Sequence, residues 1–215
     1  LTPNSGTVFI IDDDPRVREA LCDLLDAHNL VSVAFSRVAD YVAFDRPDVP
    51  SCLLLDIELP DTSGLEYQMQ IDHEDAPPIV FLTGHGNIRL SVSAMKRGAV
   101  DFLTKPFLDV ELMSSVQAAI ETDRIRRRQN SEVQILQKRL ALLTPREQQV
   151  LPLVASGLLN KQAAAELGIS EVTLQIHRGK IMRKMQAGSL AELVRIADRL
   201  KISSSSSRHA GSIGK

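Results

Sequence analysis

Asp12, Asp13 and Asp14 stand together at the end of one apolar run, Asp56 ends another, Thr83 a third, and Lys105 follows a fourth. A charge at the tip of an otherwise apolar segment costs desolvation that a solubility device would not require. Carboxylates converging on one point repel and raise one another's pKa unless a cation sits among them. Oxygen ligands without His or Cys favour Mg2+, which keeps several waters and is commonly shared with a phosphoryl group. Lys105 and the Thr83 hydroxyl then supply the positive charge and the donor that a phosphoryl group on Asp56 would need. Any one of these residues alone reads as an acidic loop end or a surface lysine; the whole set reads as a site for metal-assisted phosphoryl chemistry.

The elements that must position them alternate short β-rich runs with helical periodicity, the pattern of βαβ units around a parallel sheet. Strands are expected at 8–12, 31–35, 52–56, 79–83 and 101–104. Between the first two, residues 16–27 place Val17, Leu21, Leu24 and Leu25 at helical spacing. In an open parallel sheet ligands bind at the carboxyl ends of strands, where strand order reverses. The polar residues fall at those ends.

Together these residues resemble the receiver domains of bacterial two-component response regulators. The match runs from residue 7 to about 122. Ile11-Asp12-Asp13-Asp14 resembles the acidic pair motif, and Leu55-Asp56-Ile57-Glu58-Leu59-Pro60-Asp61-Thr62-Ser63-Gly64 the phosphorylation loop. Thr83-Gly84-His85-Gly86 resembles the switch loop, and the run from Gly98 to Phe107 the lysine motif. The resemblance implies that Asp56 accepts phosphate from a sensor histidine kinase. It implies Mg2+ held by Asp13, Asp56 and the Glu58 main-chain carbonyl, with Asp12 helping through water. It further implies that Thr83 and Lys105 hold the phosphoryl oxygens, that Lys105-Pro106 is a cis peptide, and that Thr83 and Phe102 form the switch. By the same resemblance Glu58 and His85 would lie beside the phosphate, and they are expected to tune its lifetime.

The net charge of −2 over 215 residues hides a division along the chain. Residues 1–121 carry eight Lys and Arg against twenty Asp and Glu, or −12; residues 122–215 carry seventeen against seven, or +10. Such a chain is not one homogeneous domain, and its basic half points to nucleic acid or an anionic surface. No apolar run approaches the length of a spanning helix, and the start (LTPNSGT) lacks the regions of a signal peptide, so a cytoplasmic protein is expected. Cys22 and Cys52 have no CxxC spacing and read as core thiols.

From about Leu108 the pattern becomes helical, with no Gly or Pro over 109–139. Val133, Leu136, Leu140 and Leu143 form one apolar stripe that fits either a coiled-coil seam between two chains or a face docked on its own domain. Arg124 and Arg126 to Arg128 read as a solvated basic face. Thr144-Pro145-Arg146-Glu147 then starts a helix with a capping box and Pro at the first position, and Gly157 stops it. Further helices are expected from Asn160 to near Leu167, over 171–185 behind a Ser170 cap, and over 190–201. The second and third of these four form a helix-turn-helix around Gly168. Residues 203–215 hold too little apolar content to fold, and disorder is expected.

In the third helix Leu174, His177, Ile181 and Met185 share one face, the expected core. The opposite face carries Val172, Ile176, Gly179, Lys180 and Arg183, flanked by Thr173 and Gln175. Ile176 among cations suits a thymine methyl, Gln175 an adenine edge, and Thr173, Lys180 and Arg183 phosphates. An ordinary amphipathic helix with cations in its last turn is the plainer reading. The run from Leu143 to Leu151, with Gly157, Asn160-Lys161 and the run from Val172 to His177, looks like the LuxR-type DNA-binding domain. With the receiver, the chain resembles the NarL/FixJ family. Gln175 and Ile176 match that family's base-reading positions, and Gly179 stands where a longer side chain is frequent.

The expected architecture is α/β plus all-α: a flavodoxin-like (βα)5 receiver at 1–121, a helical linker at 122–142, a four-helix LuxR-type domain at 143–202 and a tail. The resemblance implies a transcription regulator that transfers phosphate only to itself and dephosphorylates itself. Its partners would be DNA, the kinase, a second copy when phosphorylated and RNA polymerase, with no membrane. A receiver used only for docking, and an Asp-dependent phosphatase whose nucleophile loop Asp56-Ile57-Glu58 resembles, are the alternatives.

Overall fold

The computed structural model describes residues 6–60, 62–71, 76–84 and 88–202, and the chain divides into two compact units that part between residues 128 and 129. In the first unit β1 (Thr7–Ile11), β2 (Val31–Phe35), β3 (Ser51–Asp56), β4 (Ile79–Thr83) and β5 (Asp101–Thr104) form one parallel sheet. The order is β2-β1-β3-β4-β5, so strand order reverses between β1 and β3. Crossing segments hold α1 (Pro15–Ala27), α2 (Val38–Ala43), α3 (Gly64–Gln70) and α4 (Ile88–Lys96), and α5 (Asp109–Ala141) follows β5.

Helices on both faces explain why β1, β3 and β4 are buried along their whole length and read as unbroken apolar runs. Val8, Ile10, Cys52, Leu54, Val80 and Leu82 point to one face, where Leu21 and Leu25 of α1 and Leu112, Val116 and Ile120 of α5 cover them. Phe9, Ile11, Leu53, Leu55, Ile79 and Phe81 point to the other, against Val38 and Tyr41 of α2, Tyr67 of α3 and Ala94 of α4. Truncating one such side chain, as in Leu54→Ala, costs about 2–5 kcal/mol through lost burial and the cavity left behind. The strands end where the apolar runs end, which leaves Asp12, Asp56, Thr83 and Lys105 at or just beyond the carboxyl edge.

The second unit packs the end of α5 with α6 (Pro145–Ala155), α7 (Asn160–Glu166), α8 (Glu171–Met185) and α9 (Leu190–Arg199). Thr144 and Glu147 close the capping box at the start of α6. Gly157 (φ +83°) and Gly168 (φ +64°) take left-handed turns that a side chain would strain. Leu136 and Leu143 are buried with Val150, Leu151, Leu174, Ile181, Met185 and Leu193, and Leu140 packs against them. Leu136, Leu140 and Leu143 of the apolar stripe are therefore docked on the second unit rather than held out as a seam. Helix α9 stops at Arg199, two residues before the expected end, because Lys201 has φ +53°. The disorder expected over 203–215 concerns positions outside the described residues, as does His85. Among the described residues no helix is long and apolar enough to cross a membrane.

Candidate functional site

At the reversal between β1 and β3, carboxylate oxygens of Asp12, Asp13 and Asp56 lie within 4.8 Å of one another. Asp12 is 0% and Asp56 5% exposed, while Asp13 faces solvent. Lys105 Nζ donates to Oδ2 of Asp12 and to Oδ2 of Asp56, both at 2.6 Å. Backbone N–H groups hold the other oxygens: Asp14 donates to Asp12 Oδ1 and Glu58 to Asp56 Oδ1, each at 2.9 Å. Burial raises the pKa of Asp12, and the Lys105 ammonium pulls it only part of the way back. Burial alone would lower the Lys105 pKa, but hydrogen bonds and charge from the two carboxylates outweigh it and hold the amine above its usual value. Three converging carboxylates with no nitrogen or sulfur donor fit a hard divalent cation such as Mg2+.

The neighbouring loops are shaped to leave these groups in place. Asp14 caps α1 by accepting from the Arg16 N–H at 2.8 Å, with Pro15 at the first helical position. Gly64 begins α3 so close to β3 that a Cβ would meet the Asp56 carbonyl oxygen at 2.4 Å, so only glycine lets the helix approach. Thr83 is buried at the tip of β4, and its carbonyl accepts from the Lys105 N–H at 2.7 Å. The Lys105-Pro106 peptide is cis. Glu58 is exposed, and Phe102 is half-buried with its ring centroid 6.4 Å from that of Phe81.

Two features of the first unit escape a reading of the sequence. Arg18 of α1 donates from Nη1 to the Asp12 carbonyl at 2.7 Å, which ties the helix to the turn carrying the carboxylates. Asp123 is completely buried on α5 and accepts from the Ser51 N–H at 2.9 Å, from Arg127 Nε at 2.7 Å and from Arg126. Arg127 also pairs with Asp48. Arg126 and Arg127 are therefore not a solvated basic face; they neutralise a buried carboxylate that holds α5 to the start of β3. Their spacing three and four residues after Asp123 was the available signal.

In the second unit α8 buries Leu174, Ile181 and Met185, with His177 half-buried beside them. On its other side Val172 is 67% and Ile176 54% exposed, Gln175, Gly179, Lys180 and Arg183 face solvent, and Thr173 is half-buried. The helix is fastened at both ends. Ser170 caps its start by accepting from the Thr173 N–H at 3.1 Å. Near its end Lys184 Nζ lies 2.6 Å from Oε2 of Glu147, which is only 2% exposed and also accepts from the Thr144 N–H. The Lys184 ammonium and the Thr144 N–H pull the Glu147 pKa down to about 2 against the opposing effect of burial.

Residues 8–117 match the response regulator receiver domain, and residues 141–197 match the luxR family of bacterial regulatory proteins. Nodulation protein W of Bradyrhizobium diazoefficiens is 49% identical over 91% of this chain and 87% of its own length. The transcriptional regulatory protein FixJ of Azorhizobium caulinodans is 39% identical over 91% of this chain and 93% of its own. Among solved structures, the response regulator StyR superposes with a TM-score of 0.77 at 41% identity, covering 91% of this chain and 99% of that one.

Proposed function

The chain belongs to the two-component response regulators that join a receiver domain to a LuxR-type DNA-binding domain, and from that premise we propose that phosphate on Asp56 switches its binding to DNA. The family is one of transcription regulators rather than enzymes that turn over a substrate. The observation that carries the proposal is the Lys105 ammonium bridging Asp12 and Asp56 at 2.6 Å, at the reversal of strand order.

Asp56 attacks the phosphorus of a phosphohistidine on the sensor kinase, and the imidazole leaves as the acyl phosphate forms. Asp13, Asp56 and the Glu58 carbonyl would hold Mg2+, with Asp12 assisting; the ion, when bound, neutralises negative charge on the transferring group. Lys105 and the Thr83 hydroxyl take the phosphoryl oxygens, so the charge held by Lys105 passes from a carboxylate pair to an acyl phosphate. Thr83 and Phe102 relay that change across β4 and β5, and the receiver then pairs with a second copy. Two linked DNA-binding domains gain avidity for a two-fold site. In each, Gln175 and Ile176 read bases, Thr173, Lys180 and Arg183 meet phosphates, and Gly179 lies against the groove. We place the receiver at 1–121, the linker at 122–142 and the DNA-binding domain at 143–202. DNA and RNA polymerase as partners set the work in the cytoplasm.

Acetyl phosphate with Mg2+ tests the chemistry. Intact mass should show one added phosphoryl group on the natural chain and none on Asp56→Asn, and only the phosphorylated chain should dimerise in sedimentation. Equal labelling of the two would overturn the assignment of Asp56. Dimerisation indifferent to phosphate would favour a receiver used only for docking.

A further inference from the structure

Val172 and Ile176 lie outside the core cluster that α8 packs into. They lie one turn apart on the side away from the buried Leu174 and Ile181, at 67% and 54% exposed. Both are β-branched, and at an exposed helical position such a residue lowers helix propensity relative to Ala or Lys. Two aliphatic groups are thus kept, at a cost to the fold, on the helix that carries Gln175, Lys180 and Arg183. At 100° per residue Gly179 continues the same strip, and open space surrounds the position of its missing Cβ. The strip therefore offers two methyl-rich groups, then no side chain, then a cation.

We infer that Val172 is a specificity-determining residue and that Val172 and Ile176 together read two pyrimidine C5-methyl groups in the major groove. Four residues advance a helix by about 6 Å, and stacked base pairs rise by about 3.4 Å, so the two methyls belong to base pairs about two steps apart. An aliphatic side chain has no donor or acceptor for a base edge, and the thymine methyl is the one apolar group the groove presents. The ligand feature is thus a pair of thymines, or 5-methylcytosines in the same places, in the first part of each half-site. Gly179 ends the readable stretch. This inference rests on the DNA-binding reading of α8 and adds to it a register and a second reader.

The test uses the full chain, loaded with beryllofluoride and Mg2+, and the DNA site it selects from a pool of random duplexes. Each thymine of that site is replaced singly by deoxyuridine, which removes only the methyl. Two positions about two base pairs apart should each weaken binding about fourfold, the weight of one buried methyl-sized group. Val172→Ala should abolish the sensitivity at one position and Ile176→Ala at the other, while thermal unfolding of Val172→Ala stays at or above that of the natural chain. A selected site insensitive to deoxyuridine, or a Val172→Ala chain that keeps the sensitivity at both positions, would overturn the inference and leave DNA binding standing. Failure to select any site would bring down the DNA-binding reading, and the inference with it.

Discussion

The acidic site and the outer face of α8 treat polar groups in opposite ways. Asp12, Asp56 and Thr83 are almost fully buried, and Lys105 already spans both carboxylates. Gln175, Lys180 and Arg183 stand in solvent beside two exposed aliphatic side chains. Charge that develops on a transferring group is stabilised best by dipoles and charges fixed beforehand in a low-dielectric setting. A face that must find a polyanion gains instead from solvated cations, whose contacts release counterions only on binding. Substitutions in the first site should therefore disturb stability and chemistry together, and those on the second should disturb affinity alone.

Among substitutions of charged groups, the largest effect should come from a buried charge outside both regions. Asp123→Ala leaves Arg126, Arg127 and the Ser51 N–H without their shared acceptor, and urea unfolding should show a loss of about 3–4 kcal/mol. Next, Lys105→Met leaves two buried carboxylates without their ammonium. It should lower stability at neutral pH by about 2 kcal/mol without Mg2+, and added Mg2+ should restore part of the loss. A smaller change concerns Glu147. Its pKa falls from 4.5 unfolded to about 2 folded, so its contribution is complete above pH 4.5 and is lost as pH drops towards 2. Acid unfolding of Glu147→Gln should lack that component and start from a lower stability at neutral pH. Smallest of all, Lys180→Ala should leave thermal stability within about 0.5 kcal/mol. It should reduce the slope of log affinity against log salt by about one. A Lys180→Ala chain that unfolds as readily as Lys105→Met would erase the contrast between the regions.

Strand positions and the acidic cluster were legible because apolar runs end sharply at charged residues, and strand tips in a parallel sheet share one edge. The Thr144 and Glu147 capping box was legible because both partners lie within one turn. The Lys184 to Glu147 pair, 37 residues apart, and the Arg127 to Asp48 pair, 79 apart, were not, since no local pattern records which surfaces the fold brings together. The apolar stripe of α5 was ambiguous for a related reason: the same spacing serves a seam between chains or a face within one. Arg126 and Arg127 show the opposite lapse, because Asp123 sits within helical reach of both and the basic run masked it.

The central claim is that phosphate on Asp56 governs DNA binding. Its most direct test is the affinity of the full chain for its selected DNA site, measured at one salt concentration with and without beryllofluoride and Mg2+. Avidity from two linked domains predicts a gain of about a hundredfold on adding beryllofluoride, absent in Asp56→Asn. Equal affinity in both conditions would contradict it.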